Sequence, residues 1–147
     1  MILNVVKYVY LLGAGGIGMS ALARYFHNQE LLVCGYDRTE TGLTRLLEKE
    51  GIHINYQDNE EVIPAEIRNA SPENLLVIYT PAIPSDSIQK RYFTDKGYAL
   101  VKRSEVLGYI SGSHPTVAVA GTHGKTTTST MIAHLFMHAG LNPVAFM

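Results

Sequence analysis

Two glycine-rich stretches limit what this chain can fold into more than anything else in it: Gly13-Ala14-Gly15-Gly16-Ile17-Gly18 and Gly121-Thr122-His123-Gly124-Lys125-Thr126-Thr127. Each follows a short apolar run and opens a helix-like pattern. A strand–glycine–helix junction aims free backbone N–H groups and a partial positive charge at whatever anion sits there. Two such junctions predict an α/β fold with two phosphate-bearing ligands. The lysine and threonines of the second point to a nucleoside triphosphate with its magnesium.

The residues between the loops alternate strand and helix. Tyr8–Leu12 (YVYLL) is continuously apolar, as a parallel strand covered on both faces is. Met19, Leu22, Ala23 and Phe26 recur at helical spacing and predict a helix over Gly16–Asn28. Leu31–Tyr36 reads as the second strand, and Leu43, Leu46 and Leu47 mark a second helix that Gly51 ends. Ile52–Tyr56 is a weaker third strand, while Asn59–Ala70, interrupted by Pro64, has no assignable pattern. Leu75–Tyr79 is the fourth strand. Pro81 and Pro84 delay the next helix to Asp86, which with Gln89 forms a capping-box pattern; that helix runs to Lys96 before Gly97. Tyr98–Lys102 reads as the fifth strand, with Ser104 as N-cap of a helix over Glu105–Ile110. Thr116–Ala120 (TVAVA) reads as a new strand feeding the second loop, and Ile132, Leu135, Phe136 and Ala139 as the apolar stripe of the helix after it. Ser111–Pro115 has linker composition and sets the expected boundary. Residues 1–112 are expected to form a Rossmann-like, doubly wound, mainly parallel sheet. Residues 113–147 are expected to be the first β-loop-α unit of a P-loop ATPase domain.

Composition excludes several functions. The 147 residues carry a formal net charge of −1 and no Lys/Arg block, so an extended nucleic-acid interface, which needs a basic surface, is not expected. No apolar run reaches the roughly 18–20 residues of a membrane span. Cys34 is the single cysteine, which forbids an intrachain disulfide and suits a small buried strand residue in a reducing cytoplasm. His134 and His138 share a helix face, but Leu135 stands where a zinc-protease helix needs glutamate, so no metal is expected there. The oligomeric state is not legible.

The first loop fits G-x-G-x-x-G through Gly13, Gly15 and Gly18, with Asp37 at the end of the second strand, where an acidic side chain reaches a ribose hydroxyl. The pattern specifies a dinucleotide or a nucleotide diphosphate without deciding between them. The second loop keeps the Gly124-Lys125-Thr126 end of a P-loop, but its first glycine, Gly121, lies three positions before Gly124 instead of five. Its chemistry survives the shortening. Backbone N–H groups cradle phosphate oxygens, Lys125 neutralises charge on the β- and γ-phosphates, and the Thr126 hydroxyl ligates Mg²⁺. His123, inside the loop, lies close to any nucleotide bound there.

Tyr10–Phe26 (YLLGAGGIGMSALARYF), Gly35-Tyr36-Asp37-Arg38, Tyr79-Thr80-Pro81-Ala82, Lys102–Leu107 (KRSEVL) and Ala120–Thr128 (AGTHGKTTT), in this order, resemble the Mur ligases. The resemblance is to the member that adds the first amino acid of the peptidoglycan peptide. It implies an ATP- and Mg²⁺-dependent amide ligase of cell-wall synthesis, serving cell shape and division in the cytoplasm, whose substrates are UDP-N-acetylmuramate, L-alanine and ATP. It implies that Gly15, Gly16, Ile17 and Gly18 hold the diphosphate of the UDP-sugar, that Asp37 contacts the nucleoside, and that Thr80, Pro81 and Ala82 line the same pocket with Arg103 near it. It places ATP on Gly121, Thr122, His123, Gly124, Lys125, Thr126 and Thr127, with Lys125 and Thr126 as the catalytic pair. The chain covers the first third of such an enzyme, so a substrate-binding fragment inactive by itself is expected. It departs from many relatives in carrying Gln57-Asp58 where they place a Gly-His nucleotide contact. A sister ligase that joins a preformed tripeptide to the same UDP-sugar, an NAD-binding Rossmann module and a structural module without ligand are the alternatives. The run Gly16–Ala23 favours the alanine enzyme over its sister, and the Lys125 loop has no task in an NAD module.

Overall fold

The computed structural model describes residues 5–146, which divide into two compact units, one ending at Leu107 and the other beginning at Gly108. The first unit is built on a five-stranded, all-parallel sheet: β1 Tyr8–Leu12, β2 Leu32–Tyr36, β3 His53–Asn55, β4 Leu75–Tyr79 and β5 Leu100–Lys102, in the order β3-β2-β1-β4-β5. The predicted β1 and β4 are found with the expected limits, because central strands buried on both faces announce themselves as unbroken apolar runs. The outer strands β3 and β5 are shorter than expected.

Strand alternation divides the core into two layers. On one face Tyr10, Leu12, Cys34, Tyr36, Leu75 and Val77 join Ile63, Ile67, Phe93 and Tyr98 in one buried cluster. This layer is covered by the 3-10 turn Glu60–Val62 with helix α3 (Ala65–Arg68) and by α4 (Ile88–Asp95). The alternate residues Val9, Leu11, Val33, Leu76 and Ile78 are buried as well. Helix α1 (Ile17–His27) contacts β1, β2 and α2 (Gly42–Lys49), and contributes Met19, Leu22, Ala23 and Phe26 to the core. The segment Asn59–Ala70, illegible in the sequence, is this short turn-and-helix pair, with Pro64 as the N-cap of α3.

Two predicted caps are corrected. Helix α4 starts after Ser87, whose hydroxyl accepts from the Lys90 N–H at 3.3 Å, and Gln89 is fully buried and not a capping-box partner of Asp86. Helix α5 (Arg103–Gly112) begins directly after β5, so Ser104 lies inside its first turn, and Glu105 accepts from the Lys102 N–H at 3.0 Å.

In the second unit, helix α6 (Lys125–His138) is present as expected after the second loop. The strand expected at Thr116–Ala120 is not formed: the sheet contains β1–β5 alone, and Val117 is 58% exposed. An apolar, β-branched run becomes a strand only when a neighbouring strand completes its hydrogen bonds, and none is supplied among the described residues. Ser111–Thr116 is instead held by local bonds, Ser113 Oγ donating to Ile110 O and Thr116 Oγ1 to Ser111 O. No residue of α6 is buried; of the predicted stripe Ile132 is half-buried and Leu135 is 63% exposed.

Candidate functional site

The sheet order creates the site. The chain moves outward from β1 to β2 and β3, then returns to place β4 on the other side of β1. Such a reversal opens a crevice at the carboxyl ends of the strands, where ligands of open α/β sheets bind. The first glycine loop leaves β1 at that point.

The loop is fixed by the strand beside it. Gly13, in the left-handed region at φ +91°, and Ala14 both donate to Tyr36 O, at 2.8 and 3.0 Å. A Cβ on Gly35 would lie 3.0 Å from the Ala14 methyl, so the bare backbone at Gly35 lets the loop settle onto β2. The Gly15 N–H donates to Asp37 Oδ2 at 2.7 Å, and Asp37 Oδ1 accepts from the Thr39 N–H at 3.0 Å. Both carboxylate oxygens of Asp37 are thus engaged within the protein.

Three of the loop's amides are therefore taken, and those that follow are differently placed. Gly16 is the N-cap of α1, and its helix start carries no side-chain cap. The N–H groups of Ile17 and Gly18 belong to the first turn, whose amides have no intrahelical acceptor. Ile17 is 72% exposed beside them. The guanidinium of Arg103, from the first turn of α5, lies directly over Gly18: a Cβ there would collide with Nη1 and come within 3.1 Å of the guanidinium carbon. An uncapped helix start beneath an arginine is an arrangement for a phosphate or another multiply charged anion.

The wall on the β4 side comes from the turn after Tyr79. Thr80 Cγ2 lies 3.0 Å from where a Gly13 Cβ would be, and Thr80 Oγ1 accepts from the Ala82 N–H at 3.0 Å, leaving Pro81 and Ala82 exposed at the rim. The Lys90 ammonium sits 4.9 Å from the Tyr79 ring centroid. The Tyr36 hydroxyl, at the end of β2, is raised above the ordinary phenol range by burial first and then by the negative charges of Asp58 and Asp37.

Gly15, Gly16, Ile17, Gly18, Asp37, Thr80, Pro81, Ala82 and Arg103, singled out in the sequence, thus gather at one end of the sheet. What sequence reasoning missed is the polar layer beneath. The Tyr10 hydroxyl donates to Gln89 Oε1 at 2.7 Å and accepts from Asn55 Nδ2 at 2.7 Å, while Asn55 Nδ2 also donates to Gly35 O at 3.0 Å. Burial is the largest influence on Tyr10, and it pushes the phenol far above its ordinary range. Asp58 was legible only as a departure from a motif, and it has a structural task at the start of α4.

The second loop stands in the other unit. Gly124 takes the left-handed conformation, φ +75°, as N-cap of α6 with no side-chain cap, and Lys125 Nζ donates to Gly121 O at 2.6 Å. Lys125 is thereby folded back over its own loop. The Thr126 hydroxyl lies in the first turn of α6, and His123 is exposed in the loop. Among the described residues no cluster of three or more His, Cys, Asp or Glu forms, and no helix is long and apolar enough to cross a membrane.

Known proteins resemble this chain in sequence and in fold. Residues 8–114 match the profile described as Mur ligase family, catalytic domain. A UDP-N-acetylmuramate–L-alanine ligase from Christiangramia forsetii is 49% identical over 99% of this chain and 32% of its own length. Among solved structures, a UDP-N-acetylmuramate–alanine ligase from Thermotoga maritima superposes with a TM-score of 0.74 at 31% identity, over 90% of this chain and 30% of that one. A murein peptide ligase from Psychrobacter arcticus superposes with a TM-score of 0.77 at 29% identity, over 91% and 27%. The chain thus spans about a third of the length of the curated relatives it matches.

Proposed function

The chain belongs to the Mur ligase family, and from that premise we propose that its first unit binds UDP-N-acetylmuramate for ATP-dependent ligation to L-alanine in peptidoglycan precursor synthesis, in the cytoplasm. The observation that carries this reading is the uncapped start of α1 at Gly16 with Arg103 over Gly18. The diphosphate lies on the N–H groups of Gly16, Ile17 and Gly18, and Arg103 balances its charge. Gly15 serves through its missing Cβ, since its N–H is engaged by Asp37. Asp37 holds the loop's shape and faces the nucleoside, and Thr80, Pro81 and Ala82 form the opposite wall.

In the reaction so assigned, a muramyl carboxylate oxygen attacks the γ-phosphorus of ATP and ADP departs. The amine of L-alanine then attacks the acyl carbon, phosphate leaves and one proton is lost. Phosphorylation is required because an oxide is a poor leaving group and phosphate a good one. The second loop fits the triphosphate: Gly124 opens α6 without a side-chain cap, and Lys125, bonded to Gly121 O, would exchange that bond for one to the phosphates. Thr126 offers one oxygen to Mg²⁺, which, when bound, neutralises charge on the transferring phosphoryl group. We assign residues 1–112 to the UDP-sugar domain and 113–147 to the start of the ATP-binding domain.

The test is calorimetric titration of the chain with UDP-N-acetylmuramate, NAD and Mg-ATP in parallel. Binding of the UDP-sugar without NAD is the expected result. Binding of NAD with no response to the UDP-sugar overturns the proposal.

A further inference from the structure

Among the described residues the backbone hydrogen bonds inside the turn from Thr80 to Ser87, which carries the Thr80-Pro81-Ala82 wall, are local: Ala82 N–H to Thr80 Oγ1, Ile83 N–H to Thr80 O at 3.1 Å, and Ser87 N–H to Pro84 O at 3.3 Å, while the Ile83 side chain packs against the core cluster. Upstream it is anchored by the pairing of β4 with β1 and β5. Downstream its anchor is the first turn of α4, and that turn is held by a residue from another part of the chain. Asp58 Oδ1 accepts from Ser87 Oγ at 3.1 Å and from the Gln89 N–H at 2.9 Å, and Asp58 Oδ2 accepts from the Ile88 N–H at 3.0 Å. The attachment is reciprocal, because Gln89 Nε2 donates to Gln57 O at 2.8 Å, with Asn59 O at 3.2 Å sharing a hydrogen, on both sides of Asp58. The same amide donates to Asn55 Oδ1 at 2.9 Å, which links the clamp through Asn55 to Gly35, the glycine on which the Ala14 end of the first loop rests.

We propose that Asp58 is a positioning residue for the ligand wall: by holding the first turn of α4 it fixes Thr80-Pro81-Ala82 at its distance from the first glycine loop without touching the ligand. Both carboxylate oxygens already accept from α4, and a carboxylate on backbone N–H groups at a helix start gains from charge-assisted bonding and from the helix dipole together. The network is also closed, since among the described residues no buried side-chain nitrogen or oxygen lacks a partner. Breaking one member therefore loosens the others. The inference rests on the ligand assigned above, and its test separates the two.

The test compares the chain with its Asp58→Ala, Asp58→Asn and Ser87→Ala variants, by calorimetric titration with UDP-N-acetylmuramate and by amide hydrogen exchange. Phe26→Leu, at the far end of α1, serves as a variant destabilised away from the site. Asp58→Ala is expected to raise Kd about tenfold or more and to speed exchange at Ile88, Gln89, Ala82 and Ile83. Asp58→Asn, which keeps one acceptor oxygen, recovers part of both effects. Phe26→Leu lowers the melting temperature without weakening binding. Unchanged affinity in Asp58→Ala overturns the inference, as does lost affinity without faster exchange at Ala82 and Ile83, which would make Asp58 a ligand contact. If the unaltered chain does not bind the UDP-sugar, the ligand assignment fails. The exchange at Ala82 and Ile83 then decides the positioning role alone, equal rates in Asp58→Ala and Phe26→Leu refuting it. If Asp58→Ala does not fold, Asp58→Asn and Ser87→Ala carry the same comparison.

Discussion

The backbone N–H of Gly15 and the carboxylate of Asp37 meet at 2.7 Å, joining the loop after β1 to the end of β2. The contact is close because Gly15 has no side chain: a Cβ there would lie 2.9 Å from Asp37 Oδ2 and 2.9 Å from Thr44 Cγ2. Gly15→Ala is expected to destabilise the fold by about 1–3 kcal/mol, the usual effect of forcing a methyl into a packed site. It also weakens binding of the UDP-sugar. Urea unfolding and calorimetry read the two effects separately, and a variant with unchanged unfolding midpoint would contradict the close approach.

Arg103 approaches Gly18 from α5 and is only half-buried. In the proposed site it meets the diphosphate and does not hold the core. Arg103→Ala is expected to lower affinity for UDP roughly ten- to a hundredfold, the range of a lost charge-assisted contact. Affinity for uridine stays the same, and the unfolding midpoint barely moves. An equal loss for UDP and uridine would remove Arg103 from the diphosphate.

Helices α2, α4 and α6 close in one manner: a glycine at positive φ (Gly51, Gly97, Gly140), with the next residue's N–H reaching back to the last turn, as Ile52 does to Leu47 O. Helix α1 closes identically through Leu31 N–H to Phe26 O, but Glu30 occupies the left-handed position at φ 63°. Glu30→Gly is expected to stabilise the chain by about 0.5–1 kcal/mol, because glycine takes this conformation without a Cβ clash. The urea midpoint should rise; a fall would show that the Glu30 side chain compensates.

Cys34 is a free thiol in the sheet, pushed up to about 11 by burial and, to a smaller extent, by the negative charge of Glu66. The folded protein holds its proton after the unfolded chain has released it. Stability is therefore lost as pH rises from the ordinary thiol value of 9.0 towards 11. Tyr10, Tyr36 and Tyr98, all raised chiefly by burial, add to the loss above pH 10. Urea midpoints across pH 8–11 should fall, and fall less in Cys34→Ala. An identical pH slope in that variant would refute the thiol's share.

The legible parts of the sequence are those where one segment decides its own state. Tyr8–Leu12 and Leu75–Tyr79 are central strands, and their burial on both faces is written in their composition. Thr116–Ala120 reads the same way and is no strand, because pairing is a property of two segments. Gln89 follows Asp86 at capping-box spacing, yet the carboxylate at the start of α4 is Asp58, from the loop after β3, which frees Gln89 for the core. The spacing of Gly13, Gly15 and Gly18 with Asp37 points to the candidate site. That Asp37 would spend its oxygens on Gly15 and Thr39 depends on how the loop folds against β2, and spacing does not encode it.

The position of β1 has a consequence for a chain emerging from the ribosome. It is made first but lies in the middle of the sheet, and its second neighbour pairs Tyr8 with Leu75 and Leu12 with Tyr79. Until those later residues have left the exit tunnel, β1 lacks its partner on that side and its apolar edge is unpaired. Such an edge is a template for other nascent chains. β4, made after β2 and β3, is the strand that covers this edge and completes the pairing of β1.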